Sequence, residues 1–342
     1  MRMVYVGTLD KTPDRDSCWI REFKDLGWTV IPFSSKVNPK GVSSKIQRRF
    51  GFGKYHVAQQ NNLIDYVKCA EPNWVHFRLP LDYDRQTIAH IKSKNIIVTQ
   101  YFNDDPFSRG GPFGLHWTFC RAIDVYDAHF VFRETNVSAF RNKGAKHVEY
   151  CPPFYDQQFQ KVGHRHVSGD FIADAAFIGH WENDGRVDVL NEIYSKGFSV
   201  ILKGRFWDPH INGKKIGALA PVTGAYGADY NNIYANVMVG ICFFSKINND
   251  TWTRRALEIP AVGGLLACER TLEAKRHFRD REEAFFFSST SEILDILREL
   301  RGNLPLREKV TQAGHKRLVS GSNTISDRAK QINSYILGCL KA

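Results

Sequence analysis

Short apolar segments alternate with longer stretches of helical period along nearly the whole chain, and the alternation starts afresh after a break near residue 160. Strands that recur singly between helices do not pair as hairpins; crossover helices join them into parallel sheets. In the first half, strands are expected at 3–6, 29–33, 74–77, 96–101, 129–132 and 147–150, with helices at 18–26, 85–93 and 134–142. Gly27 and Gly144 close the first and last of these helices. Cys151, Pro152 and Pro153 stop regular structure, and the polar stretch 157–169 follows. The second half gives strands at 175–178, 199–202, 237–243, 265–267 and 284–287, and helices at 186–195, 253–261, 291–300, 305–319 and 324–340. The fold expected is therefore α/β, with two doubly wound domains facing each other across a cleft. Their bounds are 1–155 and 171–325, with a linker at 156–170 and a helix at 326–342 that packs back on the first domain. Ligands of such sheets bind outside the carboxyl ends of the strands, which places the expected site in the cleft.

With 43% apolar and 24% charged residues among 342, the chain can bury two cores, and disorder, collagen and coiled coil are excluded. No apolar run approaches the ~20 residues of a membrane span. The first residues read as a strand rather than a secretory leader. Seven scattered cysteines suit neither a disulfide framework nor a zinc cluster, so a reducing cytoplasm is the expected location.

The charge is +11, and residues 1–150 hold 22 basic against 15 acidic groups. An excess of this kind implies an anionic partner. It concentrates between Lys36 and Lys54, where Lys36, Lys40, Lys45, Arg48, Arg49 and Lys54 meet no acidic residue and Phe50, Phe52 and Tyr55 are interleaved. Nucleic acid, anionic lipid headgroups or a phosphorylated substrate would suit that stretch, and so would a plain solvated loop.

The dinucleotide fingerprint is absent, because Gly7 follows the opening strand but no further glycine occupies the loop from Thr8 to Asp16. No P-loop spacing occurs, and the glycine-rich run 109–114 reads as a loop interrupted by Pro112. The most informative segment is 248–264, which follows a buried strand and opens a helix. Asp250 sits before that helix, either as its N-cap or as a functional carboxylate. Arg255 precedes Glu258 by three residues and shares its face. Free amides at such a helix mouth suit a diphosphate, and Glu258 suits ribose hydroxyls.

The segment from about 237 to 330 resembles the second domain of GT-B glycosyltransferases, and most closely the CgeB-like (spore-maturation) family related to family 4. The matching residues are R-x-[LF]-E-x-x-A-x-G-G at Arg255 to Gly264, the strand Leu265-Leu266-Ala267, Phe278, and Glu283 to Phe287. Asn103-Asp104-Asp105-Pro106 and Asp127 to Phe132 agree more loosely in the first half. The resemblance implies a GT-B fold and transfer of a sugar from a nucleotide-diphosphate donor to a saccharide or lipid-linked acceptor. It implies retention of configuration, no metal, and no cofactor beyond the donor substrate. Family 4 carries E-x7-E, whose second Glu holds the donor ribose and whose first touches the transferred sugar. Glu258 matches the second, and Asp250, a methylene shorter, stands at the first. A basic residue on the diphosphate is implied as well: Arg186 first, then Lys203 and Arg205. Thr251 and Gly7 complete the expected donor contacts.

Asp104 and Asp105 follow a strand at the expected cleft edge, as a catalytic base or as turn formers before Pro106. The Asp-x-Asp pairs Asp14/Asp16 and Asp82/Asp84 follow no convincing buried strand, and twelve histidines, His164 and His166 among them, show no ligand spacing. The leading expectation is a cytoplasmic glycosyltransferase of cell-surface polysaccharide synthesis, peripheral at the inner membrane face through its basic stretch and without a nucleic-acid partner. The alternatives are a non-catalytic nucleic-acid or polysaccharide binder and a sugar-nucleotide epimerase.

Overall fold

The computed structural model describes residues 1–9, 16–36, 41–108, 116–162, 170–207 and 217–341. Lys40, Asp14, the run 109–114, His164, His166 and the Arg49 side chain lie outside the described residues. The chain forms two units, Met1–Pro152 with Ile325–Ala342, and Pro153–Thr324.

The first unit is built on β1 (Arg2–Gly7), β2 (Thr29–Ser34), β3 (Trp74–Arg78), β4 (Ile97–Phe102), β5 (Ala128–Val131) and β6 (Val148–Tyr150). Its helices include α1 (Asp16–Asp25), α2 (Gly41–Phe50), α3 (Gly53–Ala70), α4 (Arg85–Lys92), α5 (Trp117–Cys120) and α6 (Glu134–Asn142). All strand pairs are parallel, in the order β2-β1-β3-β4-β5-β6. Every residue of β3 and β5 is buried, which is why these strands read as unbroken runs rather than alternating ones. One layer of this core is aromatic: Trp19 stacks on Phe23 at 5.8 Å, Phe23 meets Trp74 edge to face at 5.0 Å, and His76 lies tilted or edge to face against all three at 5.2–6.3 Å. Asp84 caps α4 by accepting from the Thr87 amide at 2.8 Å.

The second unit holds β7 (Ala175–Ile178), α7 (Arg186–Ser195), β8 (Val200–Lys203), α8 (Ala228–Asn236), β9 (Val239–Cys242), α9 (Arg255–Ala261), β10 (Leu266–Glu269), α10 (Leu272–His277), β11 (Phe285–Phe287), α11 (Thr290–Arg301) and α12 (Leu304–Val319). Its sheet is parallel throughout, ordered β11-β10-β9-β7-β8. The helix α13 (Ile325–Lys341) packs on α1 of the first unit, where Trp28 Nε1 donates to Asn333 Oδ1 at 2.7 Å. Both sheets therefore share one winding, in which the order reverses between the first strand and the third. Ligands of such sheets settle at that reversal, outside the strands' carboxyl ends.

Two expectations need correction. The stretch 36–54 is not simply a loop, because α2 and the start of α3 occupy most of it. The helix expected at 253–261 begins only at Arg255. The helices α2, α3, α5, α8 and α10 were not foreseen: α2, α3 and α8 are rich in polar or basic residues, and α5 and α10 have four and six residues.

Candidate functional site

At the reversal point of the second sheet, β7 ends in Phe177-Ile178 and the chain turns at Gly179. The Arg255 guanidinium lies 5.0 Å from the Phe177 ring centre, over the end of the strand. Gly179 makes room for it: a Cβ there would stand 2.8 Å from Arg255 Nη2 and 2.6 Å from the Phe177 ring. Arg255 Nη1 reaches the Phe243 carbonyl only at 3.4 Å, and its Nε is buried with no partner among the described residues. No described carboxylate comes within ion-pair distance of this cation. Arg255 is half-buried and feels the charge of Glu258 without forming an ion pair with it, so its guanidinium has hydrogen-bonding positions that no carboxylate takes and that suit an anion.

Arg186, the sequence's first choice for the diphosphate, lies on the same ring, 5.6 Å from Phe177, but in another electrostatic state. It donates to both carboxylate oxygens of Asp184 at 2.8 and 2.6 Å and to the His180 carbonyl at 2.7 Å, and Glu182 lies at 3.4 Å. Two carboxylates already surround it, and its side chain is buried. The structure thus brings Arg186 and Arg255 together around Phe177 and gives an ion pair, among the described residues, to Arg186 alone.

The helix that carries Arg255 differs from expectation. Its N-cap residue is Arg254, which makes no side-chain cap, so Asp250 is not the cap. The Asp250 amide donates to the Ser245 carbonyl at 2.8 Å, closing a turn four residues upstream of the cap. At the helix mouth, the amides of Ala256 and Leu257 bond the carbonyls of Thr253 and Arg254 at 3.1 and 2.9 Å. These contacts tighten the first turn and engage two of the amides that an anion would use. Thr251 is committed too, since its hydroxyl donates to Glu273 and its carbonyl accepts from Thr271 Oγ1 at 2.7 Å.

Glu258 lies one turn along α9 from Arg254, whose Nη2 approaches it at 3.1 Å. The Tyr230 hydroxyl, on α8, donates to Glu258 Oε2 at 2.7 Å. Burial first, then the charge of Glu258, pushes the Tyr230 phenol well above its usual pKa and keeps it a donor. A carboxylate has about four acceptor positions, and Tyr230 and Arg254 take one on each oxygen of Glu258, which fixes how it is presented. Tyr230 was missed in the sequence, although Tyr230, Ile233 and Tyr234 follow helical spacing.

Lys203 and Arg205 stand at and just beyond the end of β8. Lys203 Nζ donates to Thr223 Oγ1 at 2.9 Å, and Arg205 Nε donates to the Tyr226 hydroxyl at 2.7 Å while its guanidinium lies over that ring. Neither meets a carboxylate among the described residues. Between β7 and β8 the backbones touch, and a Cβ on Gly204 would fall 1.8 Å from the Gly179 carbonyl oxygen.

Gly7, Asp104 and Asp105 belong to the first unit. Gly7 ends β1 against Asp16, whose carboxylate accepts from Tyr5 (2.9 Å), Thr8 (3.0 Å), the Leu9 amide (2.8 Å) and Arg78. Asp105 is buried and accepts from the Phe107 amide at 3.0 Å and Asn136 Nδ2 at 3.2 Å, so it holds the turn. Asp104 is half-buried. Of the expected basic stretch, Arg48 is tied to Asp82 at 2.7 and 3.0 Å, whereas Lys36, Lys45 and Lys54 are exposed. Of the pairs Asp14/Asp16 and Asp82/Asp84, Asp16 and Asp82 pair with arginines, Asp84 meets His56 Nε2 at 3.0 Å, and Asp14 lies outside the described residues. Among the described residues, no helix is long and apolar enough to cross a membrane.

Residues 186–334, which include Arg186, Arg255 and Glu258, match the family model described as Glycosyl transferase-like. No curated protein sequence matches the chain. Among solved structures, sucrose-phosphate synthase from Thermosynechococcus elongatus is similar over 100% of both chains, at 9% identity and a TM-score of 0.68. Anabaena HepE in complex with UDP and glucose is similar over 99% of this chain and 100% of its own, at 10% identity and a TM-score of 0.68. A UDP-N-acetylglucosamine 2-epimerase candidate from Listeria monocytogenes is similar over 99% and 96%, at 10% identity and a TM-score of 0.58. The fold is GT-B, with two Rossmann-like halves, and residues 186–334 form a glycosyl transferase-like domain.

Proposed function

We propose that this chain is a glycosyltransferase that takes its sugar from a nucleotide diphosphate held by the second unit. One observation carries the reading: Arg255 is a cation without a carboxylate partner at the reversal point of a parallel sheet, where such folds receive phosphates. The diphosphate compensates Arg255, and Glu258, braced by Tyr230 and Arg254, accepts from the ribose hydroxyls. As the sugar–phosphate bond breaks, negative charge grows on the leaving diphosphate, and a fixed guanidinium already in place stabilises it in the transition state. Because Arg186 is compensated, it serves here by holding the 179–185 loop, with Lys203 and Arg205 as further cations at the same strand edge. HepE was crystallised with UDP, which makes UDP the first nucleotide to try.

The finer parts of the reading are retention without a metal, an E-x7-E-like pair in which Asp250 meets the donor sugar, and a place in the CgeB-like family resting on Arg255 to Gly264. With retention, the leaving phosphate assists the acceptor hydroxyl, and we assign Asp104 to orienting the acceptor, with Asp105 shaping its turn. We assign the acceptor to the saccharide or lipid-linked class and the place of action to the cytoplasmic face of a membrane, on the strength of the exposed lysines of the 36–54 stretch.

Thermal shift against a panel of nucleoside diphosphates, followed by donor turnover, tests the donor reading. Glu258→Ala is expected to keep the fold and to lower turnover at low donor concentration by about tenfold or more, the size of a lost hydrogen bond to a charged group. Undiminished turnover removes the site assignment. An isomerised sugar nucleotide formed without acceptor marks an epimerase instead.

A further inference from the structure

α2 presents to solvent a face of the kind that folded proteins usually bury. Val42, Ile46 and Phe50 recur every fourth residue and are 73%, 45% and 45% exposed. At about 100° per residue they form one stripe roughly 80° wide. The stripe is held outward from behind. Arg48, about 160° around the helix from Ile46 at that rise, donates to Asp82 at 2.7 and 3.0 Å, and Gln47 Oε1 accepts from the Tyr55 amide at 2.9 Å. α2 therefore cannot roll its apolar side inward without breaking a bidentate ion pair.

The apolar surface continues past the helix. Phe52 and Val57 are exposed at the start of α3, and Trp117 is exposed on α5, against which α2 packs. Phe50, Trp117, Arg121, Asp84 and Arg85, the last paired with Asp124, line a hollow of about 270 Å³ beside the stripe. The Arg121 guanidinium lies 5.7 Å from the Trp117 ring centre. Charge reinforces the pattern: Lys45 and Lys54 are exposed, and the sequence holds no acidic residue from 26 to 64.

We infer that α2 with the start of α3 is a membrane-docking element, whose apolar stripe enters the headgroup boundary of an anionic bilayer while Lys45 and Lys54 meet the lipid phosphates. Apolar insertion and cationic attraction are the two forces that hold interfacial helices, and both lie on this one surface. An acidic protein partner would be met by the lysines, but it would not require a stripe of Val, Ile and Phe at helical spacing. The inference deepens the membrane part of the proposed function and is independent of the donor site, because no residue of the stripe belongs to the second unit.

Flotation of the full chain with vesicles of two parts phosphatidylcholine to one part phosphatidylglycerol tests it, with pure phosphatidylcholine vesicles as the second arm. The wild-type chain is expected to float with the anionic vesicles at low salt. Ile46→Asp and Val42→Ser together should lower that partition by more than about tenfold, since a buried methyl or methylene contributes roughly a fourfold factor. Melting temperature and the thermal shift with UDP serve as controls and should not change, because both side chains are exposed. A wild-type chain that stays down with anionic vesicles overturns the inference, as does a double variant that floats equally well. A concentration-dependent dimer that the same double variant dissolves also overturns it, and makes the stripe a self-association surface. Loss of the UDP shift in the wild type would instead count against the donor reading alone.

Discussion

The Tyr230 hydroxyl donates to Glu258 Oε2 across 2.7 Å, joining α8 to α9 through residues 28 positions apart. With Arg254 Nη2 at 3.1 Å from Oε1, the bond completes a brace on both carboxylate oxygens. Tyr230→Phe removes it without removing the ring's edge-to-face contact with Tyr234 at 5.0 Å. A hydrogen bond to a charged group contributes about 1.5–3 kcal/mol. The expected outcome is an unchanged fold by circular dichroism and a Kd for UDP raised about tenfold or more in calorimetry. An unchanged Kd would show that Glu258 needs no brace.

Gly204 and Gly179 make a paired prediction. Gly204 has φ +145° and faces the Gly179 carbonyl, so Gly204→Ala meets both backbone strain and a collision at 1.8 Å. A loss of about 2–4 kcal/mol in urea unfolding is expected. Gly179→Ala acts differently. Its Cβ displaces the Arg255 guanidinium, so UDP affinity should fall by about tenfold with a smaller loss of stability.

Arg186 separates a structural cation from a ligand-binding one. Arg186→Ala strands Asp184 and Glu182 and should cost about 3–5 kcal/mol, while the combined change with Asp184→Asn and Glu182→Gln should recover most of that loss. A destabilisation that the triple variant does not relieve would show that the arginine acts through packing on Phe177 instead.

Acid should loosen the first unit before the common carboxylates titrate. Burial pushes His129 down to about 4 and His76 down to about 3, from an ordinary 6.5. His129 Nε2 donates to the Ile123 carbonyl at 2.7 Å and Nδ1 accepts from Gln100 at 2.8 Å, an arrangement for the neutral ring. The unfolded chain takes up these protons near pH 6.5, whereas the folded one refuses them until about 4 or 3. The stability they provide is thus full above pH 6.5 and is lost as pH falls toward 4. Urea unfolding across that window should slope by nearly two protons, and His129→Gln should remove about half of the slope. A flat profile contradicts the assignment.

Much of the architecture was legible because parallel, two-sided strands are continuous apolar words: 175–178 is read at its observed bounds, as are the helices 186–195 and 134–142. What escaped depends on distant partners. Nothing local announces that Arg48 will pair with Asp82, 34 residues on, and so anchor a helix where charge alone suggested a solvated loop. Arg186 and Arg255 look alike as cations after strands; only the folded positions of Asp184 and Glu182 tell them apart. Asp250 looked like a cap because Asp commonly is one, yet the turn closing on Ser245 delays the helix to Arg255. Tyr230 was hidden in an Asn-rich segment whose apolar spacing is short.

The most direct measurement is UDP binding and melting temperature on Arg255→Met, which keeps the bulk of the side chain and deletes its charge. No described carboxylate loses an ion pair by the change, and Glu258 keeps Arg254 and Tyr230, so the melting temperature should change little while UDP binding is lost. If the variant binds UDP as tightly as the wild type, the anion lies elsewhere and the donor site is misplaced.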